Sequence, residues 1–203
     1  MRSEILAALE EDWQPVSRAA LAAWLVFYAL FLLHALTDRD GFLLIDNVNL
    51  IVHEAGHLLF GWLGYWLGIW GGTLLQLLAP LALSVYFLFQ RHTTGTAFAA
   101  FFFFENFLYT ATYVADARRQ LLPLVTTGGS EGANHDWYLI LSRLGLLRQD
   151  TLIAGFVRTL GWLGMLATVA WLVRRARLPS QRLGGQAPRL RRAKEVQLRT
   201  AGV

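Results

Sequence analysis

Five apolar stretches in a chain of 203 residues approach the length needed to cross a bilayer, and this restricts the chain to a bundle of membrane helices. A spanning helix takes about 20 mostly apolar residues, because in hydrocarbon every backbone N–H and C=O must be paired within the segment. The stretches run over 19–37, 42–63, 67–89, 96–114 and 152–173. Hydrophobic residues make up 55% of the chain, aromatic residues 13% and charged residues only 16%. A soluble domain carries roughly 25% charged residues, and one of this size cannot hide so much apolar surface from water. The same figures exclude disordered, collagen-like and coiled-coil chains. The expected fold class is all-α: a polytopic transmembrane helix bundle of about five membrane helices, with four to six as the range.

The first stretch follows Glu10, Glu11 and Asp12 and is not trailed by a small-residue cleavage site, so it reads as a retained helix rather than a signal peptide. Pro80 is expected to kink the third, and the fourth contains the run Phe101–Phe104. Between the fourth and fifth, residues 116–150 are polar. They hold Thr126-Thr127-Gly128-Gly129-Ser130 and Asn134-His135-Asp136-Trp137, so loop signals fill the first half. Residues 137–147 have the pattern of a short amphipathic helix at the interface. The chain has no Cys, which removes disulfides, thiolate metal sites and cysteine nucleophiles.

The net charge of +4 is unevenly placed. Nine of the 18 basic residues follow Val173, from Arg174 to Arg199, and only Glu195 opposes them. A basic segment directly after an apolar run is the usual cytoplasmic flank of a membrane helix, held near anionic lipid. It lacks the aromatic interleaving of a nucleic-acid surface, so no nucleic-acid partner is expected. Two regions follow: an integral membrane domain over 1–173 and a basic, flexible tail over 174–203. With the tail inside, Arg39 and Arg91 join it to give eleven basic residues. Arg2, Arg18, Arg118, Arg119, Arg143 and Arg148 give six outside. The bias predicts a cytoplasmic C-terminus in a plasma (inner) membrane.

Within the second stretch stands His53-Glu54-Ala55-Gly56-His57, the pattern H-E-x-x-H. Residues four apart share a helix face, so both imidazoles can converge on one metal ion. Glu54, about 100° round the helix, can reach a metal-activated water without being a ligand. Zinc acidifies such a water and polarises a carbonyl while the carboxylate moves the proton, which is the chemistry of amide hydrolysis. Ionisable groups inside a membrane helix are costly and mark function. Asp46 and Asn49 lie on the same face two turns and one turn earlier, where either could orient a ligand imidazole.

A catalytic zinc needs a third protein ligand. In the fourth stretch Glu105, Asn106, Tyr109, Thr112, Tyr113 and Asp116 fall within an arc of about 120°, a polar stripe that should face the bundle interior. The following loop adds His135 and Asp136. Asp116 and His135 are the two candidates for the third ligand. Asp116 is favoured because a rigid helix aims it, whereas His135 requires the loop to fold inward. Asn106, Tyr109 and Tyr113, with whichever of Asp116 and His135 is not a ligand, are candidates to stabilise a tetrahedral oxyanion. Gly71-Gly72-Thr73 with Gln76 could bring backbone close to the site, or simply permit tight helix packing. His34 and His92 read as interfacial histidines rather than ligands.

An H-E-A-G-H on an early, very apolar helix resembles the site-2 protease family of intramembrane zinc metalloproteases. The resemblance implies that His53 and His57 are zinc ligands and Glu54 is the catalytic glutamate. It also implies that an aspartate on a later helix, for which Asp116 is the nearest match, completes the site. Where the family has glycine after that aspartate, this chain has Ala117. The expected function is therefore zinc-dependent hydrolysis of a peptide bond in a membrane-protein or peptide substrate. The alternatives are a non-proteolytic metal-binding membrane protein, such as a transporter or sensor, and an inactive scaffold. A transport or sensing site has no need of a non-ligand carboxylate beside the imidazoles. A haem site is disfavoured because its histidines usually come from opposite helices.

Overall fold

The computed structural model describes residues 13–38, 41–123 and 135–177. The acidic segment before the first helix, the Thr126–Ser130 stretch and the tail beyond Arg177 lie outside the described residues. Among those described there are six α-helices, one 3₁₀ turn and no strand. They are α1 (Arg18–Thr37), α2 (Asp46–Gly61), α3 (Tyr65–Phe89), α4 (Thr93–Ala115), α5 (Asp136–Arg143) and α6 (Asp150–Arg177), with the 3₁₀ turn at Leu147–Gln149.

Three helical segments are long and apolar enough to cross a membrane: Arg18–Thr37, Tyr65–Phe89 and Leu147–Arg177. Their outward faces carry exposed Val26, Leu30, Leu33, Leu81, Val85, Leu152, Phe156 and Leu163. So continuous an apolar surface needs lipid to cover it, and the chain is a membrane protein. The other two stretches are helical but differ from those three. The second was expected over 42–63, yet its helix begins only at Asp46 and has 16 residues, because residues 41–45 form a bend and turn with Gly41 at φ +71°. The fourth is long enough at 23 residues, but its Thr, Glu, Asn and Tyr side chains dilute its hydropathy.

That polar content explains the position of α4, which packs most extensively against α6 and also against α3. Its apolar side builds one core with α1 and α6 from Tyr28, Ala97, Phe101, Leu108, Met165 and Leu172. Rings of α1 interleave with its Phe-rich run: Phe101 lies tilted against Tyr28 with centroids 4.6 Å apart, and Phe102 meets Phe31 edge-on at 5.6 Å. A second core joins Ala111, Val114 and Ala117 to Leu141 and Ala154. His92 is the N-cap of α4, its Nδ1 accepting the Gly95 N–H at 2.9 Å, which accounts for it without a metal.

Helices α2 and α3 form a tight hairpin through Gly61, Trp62, Leu63 and Gly64. They cross where Gly56 meets Gly71 and Gly72. A Cβ at Gly56 would sit 2.9 Å from the Gly72 Cα and closer still to the Gly71 carbonyl, while a Cβ at Gly72 would overlap the His53 ring. The glycine of H-E-A-G-H therefore sets how near α3 comes to the histidines. Gly56→Ala is expected to force the backbones apart and destabilise the fold by about 1–3 kcal/mol, read as a lower thermal unfolding midpoint in detergent. An unchanged midpoint would show that the helices tolerate a wider crossing.

Candidate metal centre

The H-E-x-x-H residues face the junction of α2, α3 and α4. His53 is buried and His57 half-buried, with ring centroids 4.8 Å apart. Their Nδ1 atoms both point at oxygen acceptors on α3: His57 Nδ1 is 2.7 Å from the Gly68 carbonyl, and His53 Nδ1 is 2.7 Å from Gln76 Oε1. A backbone carbonyl can only accept, so His57 donates through Nδ1. The Gln76 NH₂ donates to Thr110 Oγ1 at 2.9 Å, which turns its carbonyl oxygen to His53 and makes that ring a donor as well. The tautomers are thereby set with both Nε2 atoms facing inward.

Both Nε2 atoms meet the same oxygen. Asp136 Oδ2 lies 3.0 Å from His53 Nε2 and 3.2 Å from His57 Nε2. Three atoms that are acceptors in their neutral or ionised ligand forms thus converge in a buried space, which is stable only with positive charge among them, either added protons or a metal ion. His53, His57 and Asp136 are the group among the described residues whose donor atoms, within 4.8 Å of one another, could hold a metal ion. The two N···O separations are near the ~3.3 Å expected for tetrahedral ligands at ~2.0–2.1 Å from zinc. A two-nitrogen, one-oxygen donor set suits zinc.

Asp136 reaches the pair because α5 is a short amphipathic helix whose buried face, with Asp136, Ile140 and Leu141, is turned into the bundle while Tyr138, Ser142 and Arg143 stay exposed. It packs against α3 and α4, with Trp137 edge-on to Trp70 at 5.5 Å and the Arg143 guanidinium 3.7 Å over the Trp66 ring. His135 is its N-cap: Nδ1 turns back to accept the Tyr138 N–H at 3.3 Å, and the ring lies 4.3 Å from that of Tyr113. The cap turns His135 away from the two Nε2 atoms and leaves the inward direction to Asp136, the first residue of the helix. Burial pushes the His135 imidazole below its ordinary pKa, partly offset by Asp116. Burial would raise the Asp136 carboxyl, but its hydrogen bonds to the two imidazoles hold it below the ordinary aspartate value.

The residues expected from sequence separate clearly. His53, His57 and Tyr113 come together: the Tyr113 hydroxyl is 3.3 Å from Asp136 Oδ2, and its oxygen accepts the Asp136 N–H at 3.2 Å. Glu54 lines a cleft with His53, Tyr109 and Tyr113, beside the donor atoms and not among them. Asp116 is turned elsewhere. Its two carboxylate oxygens accept the Leu121 and Leu122 N–H groups at 3.0 Å each, and Oδ2 is 3.5 Å from His135 Nε2. Asn106 donates to the Phe102 carbonyl of its own helix and does not reach the site. Asp46 and Asn49 bond to each other, and Asn49 also donates to Glu105, instead of orienting an imidazole. That orienting role belongs to Gln76 and the Gly68 carbonyl.

Removing the Gln76 acceptor tests the tautomer argument. Gln76→Leu is expected to weaken metal binding about 10–100-fold, measured by chelator competition; unaltered affinity would mean that His53 is oriented by other contacts. The chain matches no known protein family, no curated protein and no solved structure.

Proposed function

We propose that the chain is an intramembrane zinc metallopeptidase, resembling the site-2 protease family in its H-E-A-G-H helix, and that it hydrolyses a peptide bond of a membrane-protein or peptide substrate. One observation supports this above the others: two imidazoles and a carboxylate converge, while a second carboxylate, Glu54, faces the adjoining cleft and is not one of them. A metal store or a permeation site has no work for that carboxylate.

Zinc, when bound, supplies Lewis-acid polarisation of a carbonyl and lowers the pKa of water. The protein residues do the rest. His53, His57 and Asp136 would hold the ion, with Gln76 and the Gly68 carbonyl fixing the rings. Glu54 takes the proton from the attacking water and delivers it to the leaving amine. The Tyr113 hydroxyl, within hydrogen-bond reach of Asp136, is the nearest phenol able to donate to the developing oxyanion. The positive flank of α6, with Arg174, Arg175 and Arg177 in its last turn, supports a cytoplasmic C-terminus in a plasma (inner) membrane.

The test is elemental analysis of the purified chain with cleavage of a membrane-embedded peptide. About one zinc per chain and chelator-sensitive cleavage are expected. A zinc-loaded protein that cleaves no peptide bond in any membrane substrate would leave only the metal-binding alternative.

A further inference from the structure

We propose that the cleft beside the metal ligands is a side-chain pocket that takes a large, uncharged, apolar residue next to the scissile bond, and that Asp116 is the positioning residue that holds its outer wall. This rests on the peptidase reading and adds a substrate class to it. Among the described residues the cleft is walled by Phe42, Leu50, Tyr109, Leu122 and Pro123, and Glu54 is the one acidic side chain lining it. An acidic substrate side chain there would face Glu54 across a low-dielectric space, while an apolar one would bury surface at about 25 cal/mol per Å².

The wall formed by Leu122 and Pro123 belongs to no helix. It follows α4 through a turn in which Gln120 takes φ +50°, and what holds it against the cleft is the Asp116 carboxylate. One oxygen of that carboxylate accepts the Leu121 N–H and the other the Leu122 N–H. Both oxygens are therefore spent on the backbone that carries the wall. This gives the last member of the polar stripe on α4 a role in selectivity instead of in metal ligation.

The absence of Cys from the sequence provides the probe. In the full-length, metal-loaded protein, Leu122→Cys introduces a single thiol whose maleimide labelling reports occupancy of the pocket without requiring turnover. Blocked pentapeptides of sequence Ala-Ala-X-Ala-Ala are compared, with X as Leu, Ala or Asp. The Leu peptide is expected to slow labelling about 10-fold at saturation. The Ala peptide should need at least about 10-fold more for half-protection, since each lost methylene in a fitted pocket costs roughly 10-fold or more. The Asp peptide should not protect. A control thiol at Leu88→Cys, on the exposed face of α3, should be unaffected by all three.

Equal protection by the Leu and Asp peptides, or equal slowing at the control, would overturn the pocket. Adding Asp116→Asn should reduce the Leu-over-Ala preference toward unity while the zinc content stays at the parent value. An unchanged preference overturns the positioning role, and lost zinc shows that Asp116 acts on the metal instead. Protection by the Leu peptide in a chain that never cleaves would overturn the peptidase reading and leave the pocket standing. Cleavage without side-chain preference would do the reverse.

Discussion

Glu54→Gln is expected to retain zinc, stay folded in detergent and lose peptide hydrolysis by at least about 10²–10⁴-fold, the usual cost of removing a general base. The substitution keeps size and polarity, and it removes one thing, a carboxylate that can accept a proton. Its metal content should not change because Glu54 is outside the group of converging donor atoms. Its activity should vanish because, among the described residues, no other carboxylate lines the cleft. Asp136 is the nearest acid, and its Oδ2 is already committed to the two imidazoles. Two outcomes count against the assignment. If Glu54→Gln empties the site, the carboxylate is a ligand; if it cleaves at near the parental rate, the chemistry does not use it and the peptidase reading fails.

The sequence was most legible where a physical requirement leaves a periodic mark. Apolar length predicted helices close to those observed at Arg18–Thr37, Tyr65–Phe89, Thr93–Ala115 and Asp150–Arg177. The i, i+4 spacing of His53 and His57 placed both rings on one face, and a polar stripe on an apolar helix pointed α4 inward, with Glu105 and Asn106 buried and Tyr109 and Tyr113 on the cleft. Contacts between distant segments were not legible. Gln76 stands 23 positions from His53, and its part depends on the crossing of α2 and α3 at Gly56 and Gly72. The pair of glycine signals, one inside the motif and one at Gly71-Gly72, was the available hint. The start of the second helix was not legible either. A helix starting at residue 42 would put His53 about 16 Å from its end, but α2 starts at Asp46 and the distance is about 10 Å. That shortening lets a short helix reach the histidines from the connecting segment, where sequence reasoning relied on the far end of α4.

Metal content across single substitutions should divide the five acid and imidazole candidates sharply. His53→Ala, His57→Ala and Asp136→Ala are each expected to drop zinc from about one per chain to near zero, since a catalytic zinc site rests on three protein ligands. Asp116→Ala and His135→Ala are expected to keep it. The reason is how each side chain is already used. Asp116 gives both oxygens to the Leu121 and Leu122 N–H groups, and moving it to the metal would release that backbone. His135 spends Nδ1 on its helix cap and directs Nε2 toward Asp116. Asp136 alone faces both Nε2 atoms, at the start of α5, where the positive end of the helix dipole favours its ionised form. His135→Ala carries a graded expectation, because losing an N-cap costs about 0.5–2 kcal/mol and loosens the helix that presents Asp136. Its zinc affinity should therefore fall modestly while the stoichiometry stays at one. His135→Asn, which restores a capping acceptor, should recover the affinity, whereas a true ligand role would not be restored by Asn. Complete loss of zinc in Asp116→Ala with full retention in Asp136→Ala would reverse the assignment and return the third ligand to the end of α4.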